Sequence, residues 1–165
     1  MPSNLIIRKI FHVIFLSMLS HKSFAEPLNY KEKESAFIAA GYLLNQSFWR
    51  NDCDDTSVTS AGEIDMVRDL NHDKKPEVLI MQSSSYCYGN VGYHYTLLSK
   101  LPNMKWKVIA KGVGIPKFIA HEEFSSWPEI EVGGPSFCFP ILRWSGKDYV
   151  FDRYQYDYKP CSLNK

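Results

Sequence analysis

Two stretches of this chain echo each other about 52 residues apart, and that repeat restricts the fold more than any other feature. Pro76-Glu77-Val78-Leu79-Ile80 returns as Pro128-Glu129-Ile130-Glu131-Val132. Cys87 follows the first copy as Cys138 follows the second, and Tyr95 to Ser99 answers Ile141 to Ser145. Trp106 and Tyr149 open the last apolar run of each copy. Short apolar runs separated by turn residues are the pattern of antiparallel strands. In the first copy they fall at 64–68, 77–82, 93–99 and 106–111, and in the second at 116–119, 129–132, 139–144 and 149–156. Pro102-Asn103 marks a turn, and Ser145-Gly146-Lys147 predicts a hairpin. A sheet buries its apolar face only against another layer, and two copies are too few to close a ring of blades. The expected fold is therefore mainly β: two repeated antiparallel meander units, about 64–111 and 116–156. They would form a half-propeller or a small sandwich, stabilised by disulfides and flanked by one N-terminal helix. That helix is placed at 29–46, where Phe37, Ala40, Gly41, Leu44 and Phe48 recur at helical spacing behind an N-cap at Asn29.

The first 25 residues read as a removable leader. Arg8 and Lys9 precede a mostly apolar run from Ile10 to Leu19, and Ser23-Phe24-Ala25 places small residues at a cleavage site. The apolar run is shorter than the ~20 residues that span a bilayer. The expectation is an exported chain, periplasmic or secreted, with residues 26–165 forming one mainly β domain and no stable membrane insertion after cleavage. The leader holds Arg8, Lys9 and Lys22 and no acid, which leaves 16 basic against 18 acidic side chains. That balance argues against a nucleic-acid partner.

All four cysteines, Cys53, Cys87, Cys138 and Cys161, lie beyond the leader. An even count in an exported chain predicts two disulfides, and no C-x-x-C spacing suggests zinc. Four cysteines allow three pairings. Equivalence of the two repeats favours Cys87 with Cys138, leaving Cys53 with Cys161.

One segment carries metal chemistry. Asp69-Leu70-Asn71-His72-Asp73-Lys74-Lys75-Pro76-Glu77 offers side-chain oxygens at its first, third, fifth and ninth positions. Calcium takes six to eight oxygens from such a tight loop. Asp69, Asn71, Asp73 and Glu77, with the backbone carbonyl of Lys75, are the expected ligands of one structural calcium. The alternative is an Asx-rich turn that needs no metal. The second repeat places His121, Glu123 and Ser125 at the matching positions, so one metal site is expected.

Residues 65–81 resemble an FG-GAP or VCBS repeat, in which a strand enters a D-x-[DN]-x-D-G-x-x-[DE] loop and a second strand leaves it. The resemblance implies calcium in an inter-strand loop of a β-propeller blade. Lys74 stands where that pattern has glycine. The runs around Cys87, from Gly133 to Pro140 and from Arg143 to Gly146 resemble a group of small exported bacterial proteins.

No nucleophile elbow, metalloprotease helix or phosphate loop is present. Glu129 and Glu131 share one face of a strand, too close for a water between an acid and a base. The chain is therefore expected to be no enzyme. The expected function is a binding protein, most concretely a periplasmic inhibitor or immunity protein whose protein partner is a secreted toxin or a cell-wall hydrolase. An envelope adhesion or carbohydrate-binding module supported by the calcium loop is the alternative. Two aromatic-bearing loops are the expected contact surface: His121, Glu122, Glu123 and Trp127 in one, Tyr86, Tyr88 and Tyr93 in the other.

Overall fold

A computed structural model describes residues 27–53, 55–120, 127–135 and 137–163; the expected leader and the expected contact loop at 121–126 lie outside them. The described chain begins with α1 (Tyr30–Ala39), β1 (Leu43–Asn45), β2 (Phe48–Arg50), β3 (Gly62–Arg68) and β4 (Glu77–Ser83). A short helical turn, α2 (Ser85–Tyr88), leads to β5 (Tyr93–Lys100), β6 (Trp106–Val113) and β7 (Ile115–Ile119). The chain then runs through β8 (Glu129–Gly133), β9 (Phe139–Trp144), β10 (Tyr149–Tyr156) and β11 (Lys159–Pro160).

The fold is mainly β, and every strand pairing is antiparallel. Strands β3-β4-β5-β6 form a four-stranded meander. Strands β7-β8-β9-β10 repeat that order and add the short β11 as an edge. The two meanders coincide with the two sequence repeats. Ser145 N–H donates to Asp148 O at 3.0 Å, which closes the β9–β10 hairpin at the expected turn.

The meanders share one core. Leu79, Tyr95, Leu97 and Ile109 of the first sheet pack with Ile130, Val132 and Tyr149 of the second. On the opposite face of the first sheet, Val78, Ile80, Leu98 and Trp106 pack against Leu28, Ala36 and Phe37 of the helical segment. The first sheet is thus the middle of three layers. A β-bulge in β6 shifts the register between Leu97 and Leu98, and Ile109 and Ala110 both join the core shared with the second sheet.

The helix is shorter than its apolar spacing predicts. Asn29 and Glu32 form a reciprocal capping box at the start, as the N-cap reading expects. Glu32 also pairs with Lys100, which ties the cap to β5. The end comes at Ala39, because Gly41 takes φ +88° and Tyr42 N–H donates back to Phe37 O at 2.9 Å. A left-handed glycine with that hydrogen bond ends a helix. Leu43 and Leu44, placed on the helix by sequence, instead pair with Arg50 and Trp49 in the β1–β2 hairpin.

The disulfides also correct the sequence reading. They join Cys53 to Cys87 and Cys138 to Cys161, with Cα separations of 6.0 and 5.9 Å. The repeat alignment itself holds, since Cys87 lies between β4 and β5 and Cys138 between β8 and β9. Equivalent points on stacked sheets lie about 10 Å apart, whereas a disulfide needs Cα atoms within about 7 Å. Each bond therefore closes within or beside its own meander. By the chain-entropy argument each stabilises the fold by roughly 3–4 kcal/mol.

One residue, Gly114, carries the chain from β6 of the first sheet into β7 of the second. Its φ is +144°, and a Cβ there would lie 2.3 Å from Val132 Cγ1. Gly114→Ala should lower the urea midpoint, with a loss of about 2 kcal/mol or more, because both the backbone and the shared core resist it. An unchanged midpoint would show that the sheet switch tolerates a side chain.

Candidate functional site

Strand β3 ends at Arg68 and β4 begins at Glu77, so the expected metal loop bridges two paired strands. Its side chains are wound back onto its own backbone. Asp69 Oδ2 accepts from Lys74 N–H at 2.9 Å, Asn71 Oδ1 from Asp73 N–H at 3.0 Å, and Asp73 Oδ1 from Lys75 N–H at 2.8 Å. These Asx-type turns satisfy backbone donors that no ladder reaches. They need tight reversals, and His72 and Lys74 supply them at φ 62° and 67°. Lys74 occupies the left-handed conformation for which glycine is the ordinary residue, at a cost of roughly 1–2 kcal/mol.

Asp69 is 8% exposed. Its Oδ1 is buried and has no hydrogen-bond partner among the described residues. Leaving such an atom unmet costs on the order of 1–3 kcal/mol. Glu77 is fully buried, with Oε2 accepting from Leu70 N–H at 2.8 Å and Oε1 from Ser99 Oγ at 2.9 Å. Burial pushes its carboxyl up to about 7, helped by the nearby Asp73 and Asp69 carboxylates and opposed by the two hydrogen bonds. Glu77 therefore links the loop to β5 as well as closing it.

These oxygens are of the type that a hard cation takes. Each oxygen that accepts one N–H keeps a second lone pair, and Asp69 Oδ1 has both free. Among the described residues no three His, Cys, Asp or Glu side chains gather as a ready metal-holding group. A cation here would need Asn71 and the Lys75 carbonyl as well as the carboxylates.

The second feature is the turn that carries Cys87. Ser84 Oγ accepts from Cys87 N–H at 3.2 Å and donates to Asp55 Oδ2 at 2.7 Å. That hydrogen bond from Ser84, with those from Ser57, holds the Asp55 carboxyl below the usual carboxylate range. Arg50 gathers the same segment by donating to the carbonyls of Asp55, Thr56 and Ser57. The Cys53–Cys87 bond joins this segment to the turn. On this braced frame Tyr86 is 79% exposed, and Tyr93 is also exposed at the start of β5. Tyr88 is not presented in the same way. It donates to Gln82 Oε1 at 2.7 Å, accepts from Asn51 Nδ2 at 3.2 Å and stacks on His94.

Trp127 is half-buried: it stacks on Trp144 at 4.3 Å and meets Tyr149 edge-on beside the shared core. His121, Glu122 and Glu123 lie outside the described residues. Glu129 and Glu131 do share a face, and both are engaged. Arg153 grips both oxygens of Glu129 at 2.8 Å. Gln155 Nε2 donates to Glu131 Oε2 at 3.1 Å, and Lys117 Nζ lies 3.7 Å from Oε1. Hydrogen bonding to Glu129 holds the Arg153 guanidinium protonated well above its ordinary range.

Sequence reasoning missed the bracing roles of Arg50, Gln82 and Arg153. Gln82 alone left a signal, as a polar residue ending the apolar run of β4. What the fold defines is a class: a mainly β, two-sheet chain with two disulfides and an Asx-wound loop between paired strands. No protein-family model, curated protein or solved structure matches the chain.

Glu77 generates a pH prediction. A carboxyl whose folded pKa is raised above its unfolded value stabilises the fold at low pH and loses that contribution as pH rises. In chelator, stability should fall as pH rises from about 4.5 through 7, and Glu77→Gln should flatten that part of the profile. Urea midpoints measured across this range check it; equal slopes in both proteins would remove Glu77 as the titrating group.

Proposed function

We propose that this is an exported, non-enzymatic binding protein, most concretely a periplasmic or secreted inhibitor or immunity protein acting on a toxin or a cell-wall hydrolase. The observation that carries the reading is the braced turn around Cys87. A loop that is already ordered loses little entropy on binding, and an exposed tyrosine on such a loop supplies large contact area. Tyr86 is the anchor and Tyr93 its neighbour. The two disulfides suit an oxidising compartment. No helix among the described residues is long and apolar enough to cross a membrane. The engagement of Glu129 by Arg153 and of Glu131 by Gln155 and Lys117 supports a binding reading over a hydrolytic one.

The test uses the purified protein, disulfides intact and calcium present, as bait for its producer's envelope and secreted proteins. Stoichiometric recovery of one toxin or hydrolase is expected, with Tyr86→Ala weakening capture at least tenfold. Capture that Tyr86→Ala leaves unchanged would sink the surface assignment, and recovery of no such protein would sink the inhibitor class.

A calcium ion held by Asp69, Asn71, Asp73 and the Lys75 carbonyl, with Glu77 behind them, is the structural cofactor this reading includes. It would meet the orphaned Asp69 Oδ1 and brace the β3–β4 connection. Millimolar calcium added to chelator-treated protein should raise the melting temperature by several degrees. Lys74→Gly should raise the melting temperature with or without calcium, by relieving the left-handed lysine, and Asp69→Ala should abolish the calcium-dependent rise. The calcium reading fails if the melting temperature does not respond.

A further inference from the structure

The two stapled turns meet beside a groove that the function above does not use. Asn90 and Val91, Ile115 and Lys117 of β7, Glu131 of β8 and Phe139 of β9 line a space of about 500 Å³. The Gly133-Gly134-Pro135 loop completes the lining, and a Cβ on Gly134 would sit 3.6 Å from Val91 Cγ2. That close approach brings the two loops together across the repeats. The volume lies within the ~300–1,000 Å³ range of small-ligand sites.

Phe139 lines the groove with one charge of each sign, Lys117 and Glu131, and further aromatic rings stand beside it. Phe137 is 83% exposed and Tyr158 is 72% exposed. Tyr156 joins Phe137 to Phe139, with ring centroids 6.2 and 6.1 Å apart. The Lys117 ammonium lies 5.9 Å from the Tyr158 ring centroid. In the lining, the exposed Lys117 and the more buried Glu131 lie 3.7 Å apart, longer than a hydrogen bond, so the ammonium and Glu131 Oε1 keep capacity for a ligand. Glu131 is not free to swing. Gln155, only 4% exposed, donates to its other oxygen and is itself held by Arg153.

The polar chemistry selects the ligand. An anion would meet Glu131 and a cation would meet Lys117, so neither sign is favoured. Vicinal hydroxyls both donate and accept, which matches an ammonium beside a carboxylate. Apolar ring faces of a sugar match exposed aromatic rings, whose burial is favourable. We propose that this groove binds a neutral oligosaccharide, with Lys117 and Glu131 reading hydroxyls and Phe139 and Phe137 stacking on the sugar rings. Tyr86 is not among the lining residues, so the glycan contact and any protein contact through Tyr86 are tested by different substitutions.

Calorimetric titration of the whole protein with maltotriose, cellotriose and chitotriose tests this, with a galacturonic acid trimer and a short basic peptide as charged probes. At least one neutral trisaccharide should bind at millimolar concentration or below. Phe137→Ala and Lys117→Ala alter exposed side chains and should leave the melting temperature unchanged, and each should weaken binding at least tenfold. Tyr86→Ala should bind the sugar as the parent does, whether or not any protein partner is captured. The proposal is overturned if no neutral trisaccharide binds, if a charged probe binds more tightly, or if the Phe137→Ala, Lys117→Ala double variant binds normally.

Discussion

Strand β4 lies between two cores, and the other layers are organised around it. Val78 and Ile80 face the helix, and Leu79 faces the second sheet. All three are almost wholly removed from water. Burial of each such side chain contributes about 1.5–3 kcal/mol, and it requires a covering layer on both faces at once. The helix and the second meander supply those layers. Gly114 lets the chain pass from one sheet to the other without a long connection.

The ends of the same strand are polar. Glu77 opens β4 and binds the Asx-wound loop through Leu70 N–H, while Ser99 holds it to β5. Gln82, near the far end, accepts from Tyr42 and Tyr88 and donates to Ser60 O. Buried polar groups are tolerable only when they are paired, and two of these pairs reach the Asx-wound loop, through Leu70, and the braced turn, through Tyr88. The Asx-wound loop and the braced turn are therefore positioned by the central strand and not by local propensity alone.

Much of the architecture was legible in the residues. Turn chemistry at Pro102-Asn103 and Ser145-Gly146-Lys147, with apolar runs between, placed all eight meander strands within two residues of their ends. The β1–β2 hairpin was not legible, since Leu43, Leu44 and Phe48 continue the spacing of the helix before it. Gly41 held the missing signal: its left-handed backbone ends the helix where the apolar pattern does not. The cysteine pairing was hidden for a different reason. Repeats predict equivalence, while a covalent bond requires proximity, and stacked sheets keep equivalent points apart.

The candidate sites divide in the same way. The oxygen spacing of Asp69, Asn71 and Asp73 is a property of the sequence, and so are the repeat, the cysteine count and the N-cap at Asn29. The unmet oxygen of Asp69, the burial of Glu77, the engagement of Glu129 and Glu131, and the stacking of Trp127 on Trp144 were decided by tertiary structure alone. So was the groove, whose lining comes from residues 90 to 139 on both meanders. Spacing along a chain determines which residues share a turn or a strand face. Burial and long-range contact depend on which layers later cover that face, and no single segment carries that information.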